Sequence, residues 1–315
     1  MTQALGERSS QKAGVQEGTR AADDCGTAAH SDIAAFAPIP SQQVERKLAA
    51  PAWRPRHLAW ILSLPFLAFL VLPLAALVLR LPPERLISSL SSQQVVQAVA
   101  LSMVTTLVTT VVTICFGTPV GYLLARRRFL FRRVVDTLVD LPTVLPPAVA
   151  GVALLMAFGR RGILGSTLNA WGIQIPFSWV AVVMAQTFVA SAFYVKAAAL
   201  GFAGIDPALE QSAALDGASS WQVFRHVTLP LAWSALLSGA VMTWARALGE
   251  FGATMIFAGN YPGRTQTMPL AIYLGFELDL NVALTLAVIL VGCSFLVLMV
   301  VKGVLHREVI EGVGG

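Results

Sequence analysis

Residues 206–218 have the sequence DPALEQSAALDGA, a polar segment between two long apolar segments. Asp206 is a favourable N-cap residue, Pro207 suits the first position of a helix, and Gly217 suits the position just after its end. The pattern therefore predicts a short capped helix in a loop between two apolar spans. The same loop continues through Trp221, Phe224 and Arg225 to Val227-Thr228-Leu229-Pro230.

The segments on both sides of this loop are strongly apolar. Hydrophobic residues make up 56% of the 315 residues and charged residues only 12%, about half the share that is usual in soluble domains. The chain is therefore predicted to be an all-α integral membrane protein. In such a protein the net charge of +5 reflects loops that stay in the cytoplasm, and no nucleic-acid partner is expected.

Six apolar segments have about the 20 residues that a helix needs to cross a bilayer. The third contains Pro142, Pro146 and Pro147, which predict a kinked or unwound beginning. A further apolar segment, Met268–Phe276, is too short to cross and is predicted to be re-entrant or interfacial. The six predicted spans are Leu58–Leu79, Val95–Leu124, Leu138–Phe158, Phe177–Leu200, Leu231–Phe251 and Val282–Val304.

Lys and Arg are unequally distributed between alternate loops, which favours a topology with both termini in the cytoplasm. That topology also places the loop at 203–230 inside. The smaller set, on the outer flanks, is Arg80, Arg85, Arg160, Arg161 and Arg264. The larger set, on the inner flanks, is Arg46, Lys47, Arg54, Arg56, Arg126, Arg127, Arg128, Arg132, Arg133, Lys196, Arg225, Lys302 and Arg307.

The chain is predicted to contain one membrane domain between two tails. Residues 1–55 are polar and lack periodicity, which predicts a disordered cytoplasmic tail. Residues 56–308 are predicted to form the six-helix domain, and residues 309–315 a short cytoplasmic C-terminal tail.

The sequence contains no recognisable set of residues for catalysis or metal binding. Cys25, Cys115 and Cys293 are scattered, and the four histidines have no metal-ligand spacing. No GxxxxGK[ST] motif is present. The chain is therefore not expected to be an enzyme or to hold a cofactor, and any ATP and Mg²⁺ are expected to bind to a partner polypeptide.

The loop at 206–230 resembles the EAA loop of the permease subunits of bacterial ABC importers, in the spacing of its alanines, Gly217 and Leu229-Pro230. In that family the loop is the coupling helix that docks on the ATPase subunit. The family's usual glutamate is Gln211 here, with Glu210 one place earlier. The resemblance implies that these residues couple to an ATPase: Glu210, Gln211, Ala213, Ala214, Asp216, Gly217, Ala218, Phe224, Leu229 and Pro230.

The alternative is an ordinary interhelical loop that contains a capped helix. The full run through Leu229-Pro230 favours the coupling loop. Small residues at the end of the helix would allow a partner backbone to approach closely, and Trp221 and Phe224 would add apolar anchors.

A second polar pattern lies at the end of the fifth predicted span. Arg246 and Glu250 are four residues apart, which places both on one face of a helix where they can pair. Ionisable side chains inside a membrane mark either a transport path or a buried ion pair. A structural pair, in which Glu250 orients Arg246, is slightly favoured. The candidate residues of the translocation path or gate are Arg246, Glu250, Thr254 and Arg264.

The run Pro262-Gly263-Arg264-Thr265-Gln266-Thr267, followed by Pro269-Leu270-Ala271-Ile272-Tyr273, resembles the molybdate or tungstate permeases among the ABC importers of tetrahedral oxyanions. The family resemblance covers residues 58–305. It implies the six-helix type I importer architecture and a homodimeric pore in the plasma (inner) membrane of a bacterial-type cell. It also implies a dimer of cytosolic ATPase subunits and a periplasmic or extracellular solute-binding protein.

Three alternatives to a molybdate importer remain. The first is a sulfate or thiosulfate ABC importer. The second is a secondary transporter coupled to an ion gradient, which would require several membrane-embedded carboxylates; Glu250 is the one good candidate. The third is a membrane enzyme, for which no nucleophile, base or metal set is present.

Two further patterns allow a functional and a structural explanation. Gly249, Gly252 and Gly259 would let the fifth span bend or would simply allow close packing. A stripe of threonines on the second span would line a polar path or would bond to the backbone of its own or a neighbouring helix, which is favoured. The stripe is Thr105, Thr106, Thr109, Thr110 and Thr113.

Overall fold

The computed structural model describes residues 56–80 and 82–313, and the regular structure within them is entirely helical. The tail predicted at 1–55 lies outside the described residues. The helices, numbered in chain order, are α1 (Arg56–Leu79), α2 (Pro83–Leu90), α3 (Gln93–Arg126), α4 (Arg132–Val144), α5 (Pro147–Phe158), α6 (Gly165–Ala170), α7 (Trp179–Ala203), α8 (Pro207–Leu215), α9 (Ser220–Val223), a π-helical turn (Phe224–Thr228), α10 (Leu229–Leu231), α11 (Trp233–Leu248), α12 (Gly252–Phe257), α13 (Met268–Leu278) and α14 (Leu280–Val313).

The chain divides into two compact units after Leu67. Of the first unit, the structure describes only the N-terminal part of α1. The segment Leu62–Leu79 of this helix has a mean hydropathy of 2.5, and none of it is buried. An apolar helix that is exposed all round is suited to lipid rather than to water.

Four helices in the described residues, α1, α3, α7 and α14, are each long and apolar enough to cross a membrane. Two bent pairs raise the number to six if each pair counts as one span. The prediction of an all-α membrane protein is confirmed, and the six predicted spans are recovered only with these broken ones.

The third predicted span, Leu138–Phe158, is not a straight crossing. The chain forms α4 and α5 instead, and their axes differ by 118°. The break follows from proline chemistry, since α4 ends at Val144 and Pro147 begins α5. The predicted kink at these prolines is therefore confirmed, and it divides the predicted span between two helices.

The fifth predicted span, Leu231–Phe251, is also shorter than expected. Its helical part is α11, which begins after a 68° bend and ends at Leu248. The short apolar segment predicted between the last two spans forms α13, and the last helix continues to Val313, beyond the predicted boundary at residue 308.

The centre of the second unit is the pair α3 and α7, which pack along much of their length, with α11 against α7. Small residues permit this close approach. A Cβ atom added at Gly121 of α3 would lie 2.8 Å from the Cβ of Ala198 on α7. An apolar cluster then joins α7 to the segment that follows the polar loop: Tyr194, Ala198, Phe202, Ile205, Ala232 and Leu236.

The threonines of the stripe on α3 are buried, and their hydroxyl groups bond mainly to the backbone of the same helix. Thr106 donates to the carbonyl of Ser102 at 2.7 Å, and Thr110 donates to the carbonyl of Thr106 at 2.8 Å. Thr109 reaches across to Gln186 Oε1 on α7 at 3.0 Å. The favoured structural explanation is confirmed for these three residues.

Candidate functional site

The helix predicted from residues 206–218 is present as α8. The carboxylate of Asp206 accepts a hydrogen bond from the backbone N–H of Ala208 at 2.9 Å, and Pro207 occupies the first helical position. The helix ends at Leu215, and Gly217 follows with a φ of +89°. The capping and termination predicted from the sequence are therefore confirmed.

Gly217 is required here for its backbone conformation rather than for space. A Cβ atom at this position would meet no atom within 4 Å. A positive φ is strained for residues with a side chain, and glycine adopts it without cost. The residue therefore sets the direction in which the chain leaves α8.

After this turn the loop forms a second short helix, α9. Ser219 and Gln222 form a reciprocal capping box, in which Ser219 N–H donates to Gln222 Oε1 at 2.8 Å. A π-helical turn, Phe224–Thr228, then continues into the short helix that contains Leu229 and Pro230. The loop is thus ordered by local hydrogen bonds along its whole length.

The two aromatic residues of the loop have different surroundings. The ring of Phe224 packs edge-on against Tyr122 at 5.5 Å between centroids and lies 6.3 Å from Phe202. Trp221 stacks on Phe224 at 5.7 Å and stays 65% exposed. Phe224 therefore connects the loop to α3 and α7, and Trp221 is the aromatic residue that a partner can reach.

Glu210 also points into the protein rather than towards a partner. Its Oε1 accepts from Arg126 Nη2 at 3.1 Å and from Thr228 Oγ1 at 2.7 Å. Gln211, which takes the family's glutamate position, is exposed. The carboxylate of Glu210 therefore fastens α8 both to the end of α3 and to the π-helical turn.

The outer surface of the loop forms a groove of about 410 Å³. Leu215, 88% exposed, and Leu209 lie on the same short helix and present apolar surface. We call this groove, together with the exposed side chains of Leu209, Leu215 and Trp221, the coupling surface. The groove is lined by Ala213, Asp216, Gly217, Ala218, Gln222, Val223, His226 and Val227.

Replacing Glu210 with glutamine is expected to weaken the attachment of α8. The ion pair with Arg126 is largely buried, and hydrogen bonds to charged groups are worth about 1.5–3 kcal/mol. The thermal unfolding midpoint of the purified protein should fall by several degrees. Gln211→Ala, at the exposed neighbouring position, is the control and should unfold like the wild type; equal midpoints for both variants would contradict the role of Glu210.

Arg246 and Glu250 pair as predicted, but they do not lie on one helix. Arg246 Nη1 donates to Glu250 Oε2 at 2.8 Å. The helix that carries Arg246 ends at Leu248, so Glu250 lies beyond it, and its Oε1 accepts from the backbone N–H of Ala253 at 3.0 Å. The expectation of a shared helical face is therefore wrong, since Gly249 ends the helix first.

The pair is buried on one side and accessible on the other. The side chain of Glu250 is 1% exposed, whereas that of Arg246 is 32% exposed. The carboxylate bridges the end of α11 and the beginning of α12, and it holds the guanidinium in a fixed orientation. Part of the Arg246 side chain therefore remains exposed.

The other two path candidates are not joined to this pair by hydrogen bonds. Thr254 is fully buried on α12, and its hydroxyl has no hydrogen-bond partner among the described residues. Arg264 lies in an exposed turn closed by the bond from its N–H to Tyr261 O at 3.1 Å, and it forms no ion pair within the described ranges.

Close packing accounts for two of the three glycines after α11, since a Cβ atom at Gly259 would lie 2.9 Å from the ring of Tyr261. A Cβ atom at Gly252 would lie 2.9 Å from the Cβ of Pro147, and one at Gly151 would lie 2.8 Å from the carbonyl oxygen of Ala253. The backbones of α5 and α12 therefore meet directly at their glycines. This contact ties the bent pair α4–α5 to the segment that carries Glu250.

The structure places at these sites several residues whose roles the sequence did not predict. Arg126 and Thr228 hold Glu210, and Leu209 and Leu215 form apolar parts of the coupling surface. A signal for the leucines was present, since two large apolar residues lay on a short helix in a polar loop. Arg126 was counted only for topology, because its partner is 84 residues away in the chain.

The chain is similar to known transport proteins in sequence and in fold. Residues 117–311 match the family described as binding-protein-dependent transport system inner membrane components. The putative molybdenum transport system permease protein YvgM of Bacillus subtilis (strain 168) is 41% identical over 218 residues, which cover 68% of this chain and 96% of that protein. The molybdenum transport system permease protein ModB of Mycobacterium tuberculosis (strain ATCC 25618 / H37Rv) is 42% identical over 235 residues, covering 74% and 88%.

Solved structures with the same fold are ABC transporters. A bacterial transporter involved in the import of the acidic polysaccharide alginate has a TM-score of 0.58 at 17% identity, covering 84% of this chain and 98% of that one. The MetNI methionine transporter has a TM-score of 0.52 at 20% identity, covering 68% and 95%. Together with the sequence matches, these findings show that the chain belongs to the family of binding-protein-dependent transport system inner membrane components, the permease subunits of ABC importers.

Proposed function

We propose that this chain is the membrane-spanning permease subunit of an ATP-driven importer of molybdate, with tungstate as a chemically equivalent cargo. The observation that carries the substrate class is the 41% identity to a putative molybdenum transport permease over 96% of its length. The Pro262–Tyr273 run supports the same class of tetrahedral oxyanion. A sulfate or thiosulfate importer is the alternative that the experiment below separates.

The coupling surface is proposed to dock on a cytosolic ATPase, which binds ATP and Mg²⁺ and carries out the hydrolysis. Its exposed Leu215 and Trp221 supply apolar anchors of the kind that dominate protein interfaces. On the inner side, Glu210 and Phe224 join the loop to α3 and α7. A displacement of the docked loop would therefore be passed to two central helices through an ion pair and an aromatic cluster.

The assembly is proposed to be a homodimer in the plasma (inner) membrane, with both termini in the cytoplasm and a solute-binding protein on the outer side. The family description itself refers to a binding protein and to the inner membrane. One solved relative of the fold, the alginate transporter, is in complex with a periplasmic protein bound to an alginate pentasaccharide. The excess of Lys and Arg in alternate loops supports the orientation.

Arg246 is the residue we propose for contact with the anion in the membrane. Its guanidinium carries five N–H donors, and Glu250 fixes its orientation through Nη1. Because Glu250 is buried and Arg246 is partly exposed, a passing oxyanion would meet the cation before the carboxylate. Thr254 and Arg264 remain predicted members of the path.

The experiment is ATP-dependent uptake into proteoliposomes that contain this chain together with a partner ABC ATPase and an oxyanion-binding protein. Molybdate, tungstate and sulfate are compared at equal concentration. Uptake and ATPase activity should be stimulated several-fold by molybdate and tungstate and little by sulfate. Liposomes without ATP, with and without an imposed ion gradient, are the controls.

Each outcome has a distinct meaning. Stimulation by sulfate alone would retain an ABC permease and overturn the metal-oxyanion cargo. Uptake driven by an ion gradient without ATP would overturn the coupling role of the loop. Loss of stimulation when the binding protein is omitted is expected from the family to which the chain belongs.

A further inference from the structure

A basic cavity lies on the second unit, apart from both candidate sites. Its volume is about 600 Å³. Its walls are the last turns of α3 and α7, the connection at 127–131 and the first turns of α4. The residues that matter below are Arg128, Arg132, Arg133, Asp136, Lys196 and Leu200.

The cavity lies at the ends of two apolar helices. The helices α3 and α7 are each long and apolar enough to cross a bilayer, and both end at the cavity, at Arg126 and Ala203. The distribution of Lys and Arg predicts that this end is cytoplasmic. Side chains here are therefore expected to lie where lipid headgroups begin.

The charge around the cavity is net positive. Lys196 pairs with Asp136 at 2.5 Å and with Asp140 at 2.8 Å, a group with a net charge of −1, so the three arginines bring the total to +2. The arginines at 128, 132 and 133 are exposed and form no ion pair within residues 56–80 and 82–313. Three guanidinium groups thus converge on one cavity without an anionic partner.

Apolar surface adjoins these cations. Leu130, 91% exposed, lies between Phe129 and Phe131, which are exposed as well. Leu200 of the cavity wall is also exposed. A cavity for a small soluble anion does not require such surroundings, whereas a lipid brings acyl chains that cover them.

The N-terminus of helix α4 adds a positive electrostatic potential at the cavity, which favours an anion. It begins at Arg132, and its N-cap residue, Phe131, provides no side-chain cap. The N-terminal N–H groups of a helix attract anions, and arginine forms paired hydrogen bonds with phosphate oxygens. Both features suit a phosphodiester group.

We propose that this cavity binds the headgroup of an anionic glycerophospholipid, with the phosphate between the arginines and the acyl chains beside Phe129 and Leu130. Basic pockets between membrane helices at the cytoplasmic face have this recognition chemistry. The inference concerns the lipid and is independent of which anion is transported. A bound lipid would neutralise the three cations at the ends of α3 and α7, next to Arg126, which holds the coupling loop.

The test is native mass spectrometry of the purified full chain, titrated with phosphatidylglycerol and, separately, phosphatidylcholine. The triple substitution Arg128→Gln, Arg132→Gln and Arg133→Gln is expected to reduce phosphatidylglycerol affinity about tenfold or more. The control triple substitution is Arg80→Gln, Arg160→Gln and Arg161→Gln, which removes the same charge elsewhere and should leave the affinity unchanged. A triple replacement of residues 128, 132 and 133 by lysine keeps the charge but not the paired hydrogen bonds, so its affinity should lie between those of the wild type and the glutamine variant.

Four results would overturn the proposal. The first is wild-type phosphatidylglycerol binding by the glutamine variant. The second is equal binding of phosphatidylcholine, and the third is equal loss in the control triple variant. The fourth is displacement of phosphatidylglycerol by millimolar inorganic phosphate or molybdate that is as strong as its displacement by another glycerophospholipid. That result would assign the cavity to a soluble anion instead. Size-exclusion elution and unfolding midpoints establish whether each variant is folded. If the glutamine variant is not, the weaker binding of the lysine variant and the preference of the wild type for phosphatidylglycerol over phosphatidylcholine decide.

Discussion

Arg246→Ala is expected to destabilise the protein by about 3–5 kcal/mol, because it leaves the buried carboxylate of Glu250 without its cation. The unfolding midpoint in detergent should fall by roughly 10 °C for a domain of this size. Arg246 is the more exposed residue of the pair. The loss of stability nevertheless arises at Glu250, which is 1% exposed. Arg161→Ala, at an exposed position, is the control and should shift the midpoint little.

A second variant tests the physical cause of this loss. Arg246→Ala combined with Glu250→Gln removes the uncompensated charge while the amide oxygen can still accept from Ala253 N–H. The double variant should recover at least half of the lost stability. If it is no more stable than Arg246→Ala, or if Arg246→Ala unfolds like the wild type, the ion pair does not stabilise the end of α11.

Gly217→Val is expected to reduce association with the ATPase at least tenfold while leaving membrane insertion normal. Valine at a φ of +89° is strained by about 1–3 kcal/mol, and no neighbouring atom is close enough to create a clash. The chain would leave α8 in another direction, and the groove that Gly217 lines would change shape. Co-purification of the tagged ATPase from membranes measures the effect.

A matched control exists in another loop. Gly172 also has a positive φ, +73°, with no atom within 4 Å of an added Cβ, so Gly172→Val carries similar strain away from the coupling surface. It should retain the ATPase. Asparagine tolerates this backbone conformation, so Gly217→Asn should retain the ATPase too. Normal co-purification of the ATPase with Gly217→Val, together with ATP-driven uptake by this variant, would refute the coupling role of the loop.

Local patterns were sufficient for much of the fold. Apolar segments predicted the membrane helices, and Asp206, Pro207 and Gly217 predicted α8 with its ends. The prolines at 142–147 predicted the break between α4 and α5. These features depend on backbone chemistry within a few residues, so the sequence alone contains the information.

The helical face assumed for Arg246 and Glu250 shows where local patterns fail. A spacing of four residues indicates a shared face only if the helix continues, and here it ends at Leu248. The termination is accompanied by close packing of Gly252 on Pro147, more than 100 residues earlier in the chain. The ion pair was therefore predicted correctly, but its geometry was not.

By itself, the sequence of this protein determined the helical class, the membrane environment, the capped helix of the polar loop and the family resemblance, because hydropathy and capping act over short distances. Only the tertiary structure decided that Glu210 binds Arg126, that Phe224 packs inward while Trp221 stays exposed, and that three arginines meet at one cavity. These relations join residues that are distant in the chain. They depend on how α3, α4 and α7 pack, which no local pattern specifies.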